Sequence, residues 1–243
     1  MLMSTKTWYD FVLLQMAAES YLHRIGGAYS IRDALTDGNN DTSKIQPDEQ
    51  GDLPGKTRFT GEQIKYFNST WELIDHRPDV DDRFASKGIG NGTGFSATLF
   101  RSLTGEYTLS FRSTEYADED KGGDWLRDGV NGADGDVVKK GFAFGQILAM
   151  EDYYKWLTSG PDPLLPKNAT LNVTGYSLGA HLATVFTELH ADRINHTYTF
   201  NSVGRGQFDR SSGNLSDMVD FFRTQLAGAV SQTNVYTDAR YIA

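Results

Sequence analysis

The feature that most constrains this chain is the stretch LNVTGYSLGAHLATVF, residues 171–186. A short apolar run, Leu171 to Thr174, stops at Gly175. Beyond Ser177 the apolar residues fall at 178, 182, 185, 186 and 189. That spacing is the period of an amphipathic helix, which predicts a strand over Leu171–Thr174 and a helix over Ser177–Leu189. The chain must therefore turn from strand to helix within Gly175-Tyr176-Ser177-Leu178-Gly179. This segment fits G-x-S-x-G, in which small flanking residues let strand and helix approach and a serine sits on a strained corner with its hydroxyl exposed. The first backbone N–H groups of the helix have no internal partner and face whatever the serine attacks. Ser177 is the candidate nucleophile, and the N–H of Leu178, the next residue, is the candidate anion donor.

The rest of the chain supplies elements to surround such a corner. An N-terminal amphipathic helix is expected, with Phe11, Leu14, Ala18 and Leu22 on one face. Tyr9, Asp10, Gln15 and Glu19 interrupt its apolar run, unlike the core of a secretory signal. Residues 35–58 are rich in Gly, Pro, Asn and Asp and read as a long loop. Its carboxylates lack the spacing of a calcium-binding hand, and no metal or organic cofactor is expected. A helix is expected over Gly61–Ile74, then a second loop over residues 77–94. FSATLFR and EYTLSFR, joined at SLTGE, read as a strand hairpin. A helix is expected over Asp136–Leu157, a strand at HTYTFNS, a helix over Leu215–Val230 and a last strand at TNVYTD. Strands alternating with helices imply one α/β domain, with a mostly parallel central sheet and helices on both faces.

Composition excludes several functions. The net charge of −9 opposes nucleic-acid binding, which needs a basic face. The absence of cysteine removes a thiol nucleophile, a zinc-thiolate site and disulfides. No apolar run reaches the length of a membrane span. The compartment is unreadable.

The segment VTGYSLGAHLAT resembles the nucleophile elbow of the class-3 lipases, the α/β-hydrolase group of fungal triacylglycerol lipases and bacterial relatives. Further segments resemble that family in the same order: LSFRST (109–114) its oxyanion strand, DWLRDG (124–129) the segment after its lid, KKGFAFGQ (139–146) the start of the next helix, and YTFNSVGRGQF (198–208) a later strand and loop. The resemblance spans roughly residues 93–240, with residues 1–92 as an N-terminal helical and loop region before the core. Three departures stand out: Ser113 replaces a glycine, Tyr176 stands where histidine is commoner, and NSVGRG lacks a proline. The elbow is also similar to that of the pancreatic-type lipases. Those enzymes are disulfide-rich and carry an Asp where this chain reads NSVGRG, so that likeness is set aside.

The resemblance implies a serine ester hydrolase acting through an acyl-enzyme. It implies Thr114 as the second oxyanion donor and Glu115–Gly123 as a lid. The acid is expected at the C-terminal end of a strand after the elbow, and the candidates are Asp209, Asp217, Asp220 and Asp238. Asp217 and Asp220 lie on the expected helix and Asp209 in a loop. Asp238 follows the last expected strand, 61 residues after Ser177, where the family's acid would stand. The family's histidine lies beyond that acid, but His23, His76, His181, His190 and His196 all precede it. The chain therefore reads as a domain lacking its C-terminal end. The expected partner is a lipid or small ester, with contact to a lipid interface. The alternatives are a non-catalytic lipase-like module and a phospholipase-type toxin domain.

Overall fold

A computed structural model describes residues 5–38, 58–84, 92–114, 125–129, 132–207 and 215–226. The chain begins with α1 (Thr5–Glu19), α2 (Ile31–Asp37) and α3 (Gly61–Asn68). The strands β1 (Trp71–Arg77), β2 (Ala97–Ser102) and β3 (Tyr107–Phe111) follow. Then come α4 (Trp125–Asp128), α5 (Ala133–Lys140), α6 (Phe144–Leu157), β4 (Leu171–Tyr176), α7 (Leu178–Leu189), β5 (Ile194–Phe200) and α8 (Leu215–Leu226). The five strands form one sheet in sequence order. The β1–β2 and β2–β3 pairings are antiparallel, whereas β3–β4 and β4–β5 are parallel. The described sheet is thus mixed, not mostly parallel.

Register explains why helices cover both faces. His76, Thr98, Ser110, Thr174 and Tyr198 are paired across all five strands and share one face. Tyr198 stacks on Phe11 of α1 at 3.6 Å between ring centroids, so this face carries the N-terminal helix. The opposite face presents Leu99, Leu109, Phe111 and Val173, all fully buried, to a core shared with α6 and α7. The α1 face is polar at its centre: Thr98, Thr108, Ser110 and Thr174 are also fully buried. Polar groups out of water need partners, and α1 supplies one to the Ser110 hydroxyl from Gln15, while Glu19 takes the Ser113 N–H just past β3; both side chains are buried.

Several elements differ from the sequence-based expectation. The helix expected over Gly61–Ile74 stops at Asn68, and β1 follows it as an edge strand. Thr60 and Gln63 form a capping box that starts α3, whereas Asn68-Ser69-Thr70 favours a stop. The region before residue 93 is thus not only helix and loop. The helix expected over Asp136–Leu157 is two helices, broken at Gly141, whose φ is 84°. The strand near HTYTFNS is β5, starting two residues earlier, at Ile194. The lid segment Glu115–Gly123, the expected strand TNVYTD with Asp238, Asp209 and the end of the last helix from residue 227 lie outside the described residues.

Candidate active site

The strand-to-helix corner falls where the sequence places it, between β4 and α7. Ser177 adopts φ 51° and ψ −116°, left-handed backbone that costs a non-glycine residue about 1–3 kcal/mol. Such strain persists only where the surroundings over-determine it, and here they do. The Ser177 N–H donates to the Phe200 carbonyl at the end of β5 at 3.0 Å. The Ser177 carbonyl accepts from the N–H groups of Ala180 and His181, both at 3.1 Å.

The two glycines are required by close backbone approach. A Cβ on Gly175 would lie 2.1 Å from the Gly179 carbonyl oxygen. A Cβ on Gly179 would lie 2.2 Å from the Phe111 carbonyl oxygen at the end of β3. The start of α7 is therefore pressed against the exit of β3. The ends of the parallel strands β3, β4 and β5 lie on one sheet edge, where open α/β sheets bind ligands.

The two expected anion donors both carry a backbone N–H without an acceptor among the described residues. The Leu178 N–H opens α7 and has no acceptor among the described residues. The Thr114 N–H, three residues past the end of β3, has none either. Thr114 is buried, and its hydroxyl donates weakly to Asp134 Oδ2 at 3.4 Å. Asp238 cannot be placed relative to Ser177, since it lies outside the described residues. Asp217 is exposed on α8, and Asp220 pairs there with Arg223 at 2.9 Å.

Among the described residues no histidine ring is hydrogen-bonded to the Ser177 hydroxyl. His181 is fully buried on the first turn of α7. Its Nε2 accepts from the Ala143 N–H at 3.2 Å and its Nδ1 donates to the Gly204 carbonyl at 2.7 Å. A backbone N–H can only donate, which fixes the neutral Nδ1–H tautomer. Burial pushes its pKa down to about 4, with Arg205 adding to the effect. His190 is bonded to Glu151 at 2.9 Å. His196 is paired with Asn172, near the start of β4 and away from the elbow edge. His76 contacts the Thr98 hydroxyl at 2.9 Å on the far strands of the sheet, and the ring of His23 stacks over it at 6.4 Å. These two rings line a cavity of about 550 Å³ with Leu22, Val80, Asp81 and Arg83, and Ser177 is not part of its wall.

Two features escaped the sequence-based reading. Glu19 and Gln15, which interrupt the apolar face of α1, are buried under β3. The Ser113 N–H donates to Glu19 Oε1 at 2.8 Å, and the Ser110 hydroxyl donates to Gln15 Oε1 at 3.0 Å. In addition, a buried polar strut holds α4. Arg127 pairs with Asp79 at 2.7 Å, Asp79 accepts the Gly94 N–H at 2.7 Å, and Asp128 accepts from Gln146.

No known protein-family description, curated protein or solved structure matches the chain.

Proposed function

We propose that the chain is a serine hydrolase of carboxylic esters built on an α/β-hydrolase core. The observation that carries this reading is the backbone of Ser177: a strained non-glycine corner held by Phe200, with a Leu178 N–H beside it that has no acceptor among the described residues. In the proposed reaction the Ser177 hydroxyl oxygen attacks the ester carbonyl, and the hydroxyl proton passes to a base. The N–H groups of Leu178 and Thr114 stabilise the oxyanion as it forms. The alcohol leaves with a proton, and water then releases the acid from the acyl-serine. With the five histidines placed elsewhere, the proton goes to a group outside the described residues. Asp238 is assigned to orient that base. Tyr176 in the elbow and Val203 in the loop after β5, 44% and 52% exposed, suit contact with an acyl chain or a lipid surface.

The test is labelling with a serine-reactive phosphonate, with turnover of short acyl esters measured in parallel. Labelling at Ser177, and a fall of at least ~10⁴-fold in turnover for Ser177→Ala, are expected. Labelling elsewhere, or full turnover in the alanine variant, would sink the assignment. A second reading is favoured by the histidine placements: a lipase-like module that binds its ligand without cleaving it. Retained binding of phospholipid vesicles with neither labelling nor turnover would support that module. Preference for phospholipid over triglyceride would point to the phospholipase type.

A further inference from the structure

We infer that Glu19 is a positioning residue for the oxyanion donor, an inference that rests on the reading of Ser177 as a nucleophile. Glu19 is the last residue of α1 and is 7% exposed. A carboxylate there is doubly disfavoured, because burial penalises its charge and the helix C-terminus carries negative potential. The surroundings compensate it. Oε1 accepts from Gln15 Nε2 at 2.5 Å and from the Ser113 N–H at 2.8 Å. Oε2 lies 4.0 Å from Arg112 Nε, whose side chain is 8% exposed.

The position of these bonds in the chain gives Glu19 its role. β3 ends at Phe111, and the Arg112 N–H still pairs with the Ser96 carbonyl at 3.0 Å. The next amide leaves the sheet pattern and turns towards α1, where Glu19 takes it. The bond consumes the Ser113 N–H, so that amide is not available to a substrate. It also fixes the Arg112–Ser113 peptide, one peptide before the Thr114 N–H, which is left without an acceptor among the described residues. Glu19 thereby sets which amide is presented and in what direction, without itself touching the substrate.

The experiment compares Glu19→Gln with Glu19→Asp in the full chain. Gln keeps an acceptor oxygen at the right reach and removes the charge. Asp keeps the charge and is one methylene too short for the Ser113 N–H. The quantity read is the phosphonylation rate of Ser177 per titrated site, together with kcat and KM on a short ester. Counting sites removes any loss caused by unfolded molecules. Gln is expected within about threefold of the wild type. Asp is expected to lose tenfold or more, approaching the ~10²-fold cost of a lost oxyanion donor, in kcat with little change in KM. Equal rates in all three proteins, or an Asp variant faster than Gln, would overturn the inference and leave Glu19 as a charge partner of Arg112. Failure to label Ser177 in the wild type would instead remove the underlying reading, and the inference with it.

Discussion

Gly179 has no room for a methyl group. Its added Cβ would sit 2.2 Å from the Phe111 carbonyl oxygen and 2.9 Å from that of Arg112. Neither neighbour is a side chain that could swing away, so α7 itself would have to shift. Gly179→Ala should destabilise the protein by about 1–3 kcal/mol, as overpacking does, and lower the urea midpoint. It should also slow phosphonate labelling, because Leu178 and Ser177 move with the helix. A normal midpoint and normal labelling together would show that the contact is slack. This part of the site was legible in sequence, since a strand meeting a helix across two small residues leaves few backbone solutions. Glu19 was not legible. A glutamate on an amphipathic helix reads as solvated, and its burial depends on an amide 94 residues away. No local pattern carries that information.

At the level of elements, the break between α5 and α6 shows the same division. Gly141 lies inside a continuous helical period, where glycine costs only about 1 kcal/mol against alanine and is often tolerated. The helix ends there because of a distant loop. The Gly206 N–H donates to the Gly141 carbonyl at 2.7 Å, and a Cβ on Gly141 would lie 2.3 Å from Gly206 Cα. Gly141→Ala should therefore cost more than Gly160→Ala. Gly160 has a similar φ of 88° but nothing within 4 Å, so it isolates the conformational cost alone. Urea midpoints of the two variants, at unchanged slope, measure the difference. Equal losses would mean that the 141–206 contact carries no weight. β1 was missed for another reason. It is an edge strand, and its interior positions Leu73 to His76 are only partly buried. Its sequence, WELIDHR, therefore alternates too weakly for a period of two to stand out. The capping box of Thr60 and Gln63 and the stop at Asn68-Ser69-Thr70 were not read from the sequence, which predicted one helix through to Ile74.

At the scale of the whole molecule, His181 joins three parts of the elbow face: α7, the Gly204 loop after β5 and the start of α6 at Ala143. The ring must stay neutral to hold them, because a proton on Nε2 would face the Ala143 N–H. Burial accordingly lowers its pKa from 6.5 to about 4 in the folded protein. The unfolded chain therefore takes up this proton at higher pH than the folded one. The stability held by the neutral ring is complete above pH 6.5 and falls as the pH drops from 6.5 through 4. A shift of that size corresponds to about 3 kcal/mol over the window. Burial holds His76 well below its usual range too, which adds a loss of the same sign. Carboxylates titrate near the acid end of the window, so the wild-type curve alone does not isolate His181. His181→Gln does, because its side chain has no proton to gain there. The variant should be less stable near neutrality, where one of the two buried bonds is lost. Its stability should then fall less steeply than the wild type's, so that the two urea-derived curves converge towards pH 4. Parallel curves across the window would show that His181 titrates normally in the folded protein, and that the join between α7, the Gly204 loop and α6 does not depend on a neutral ring.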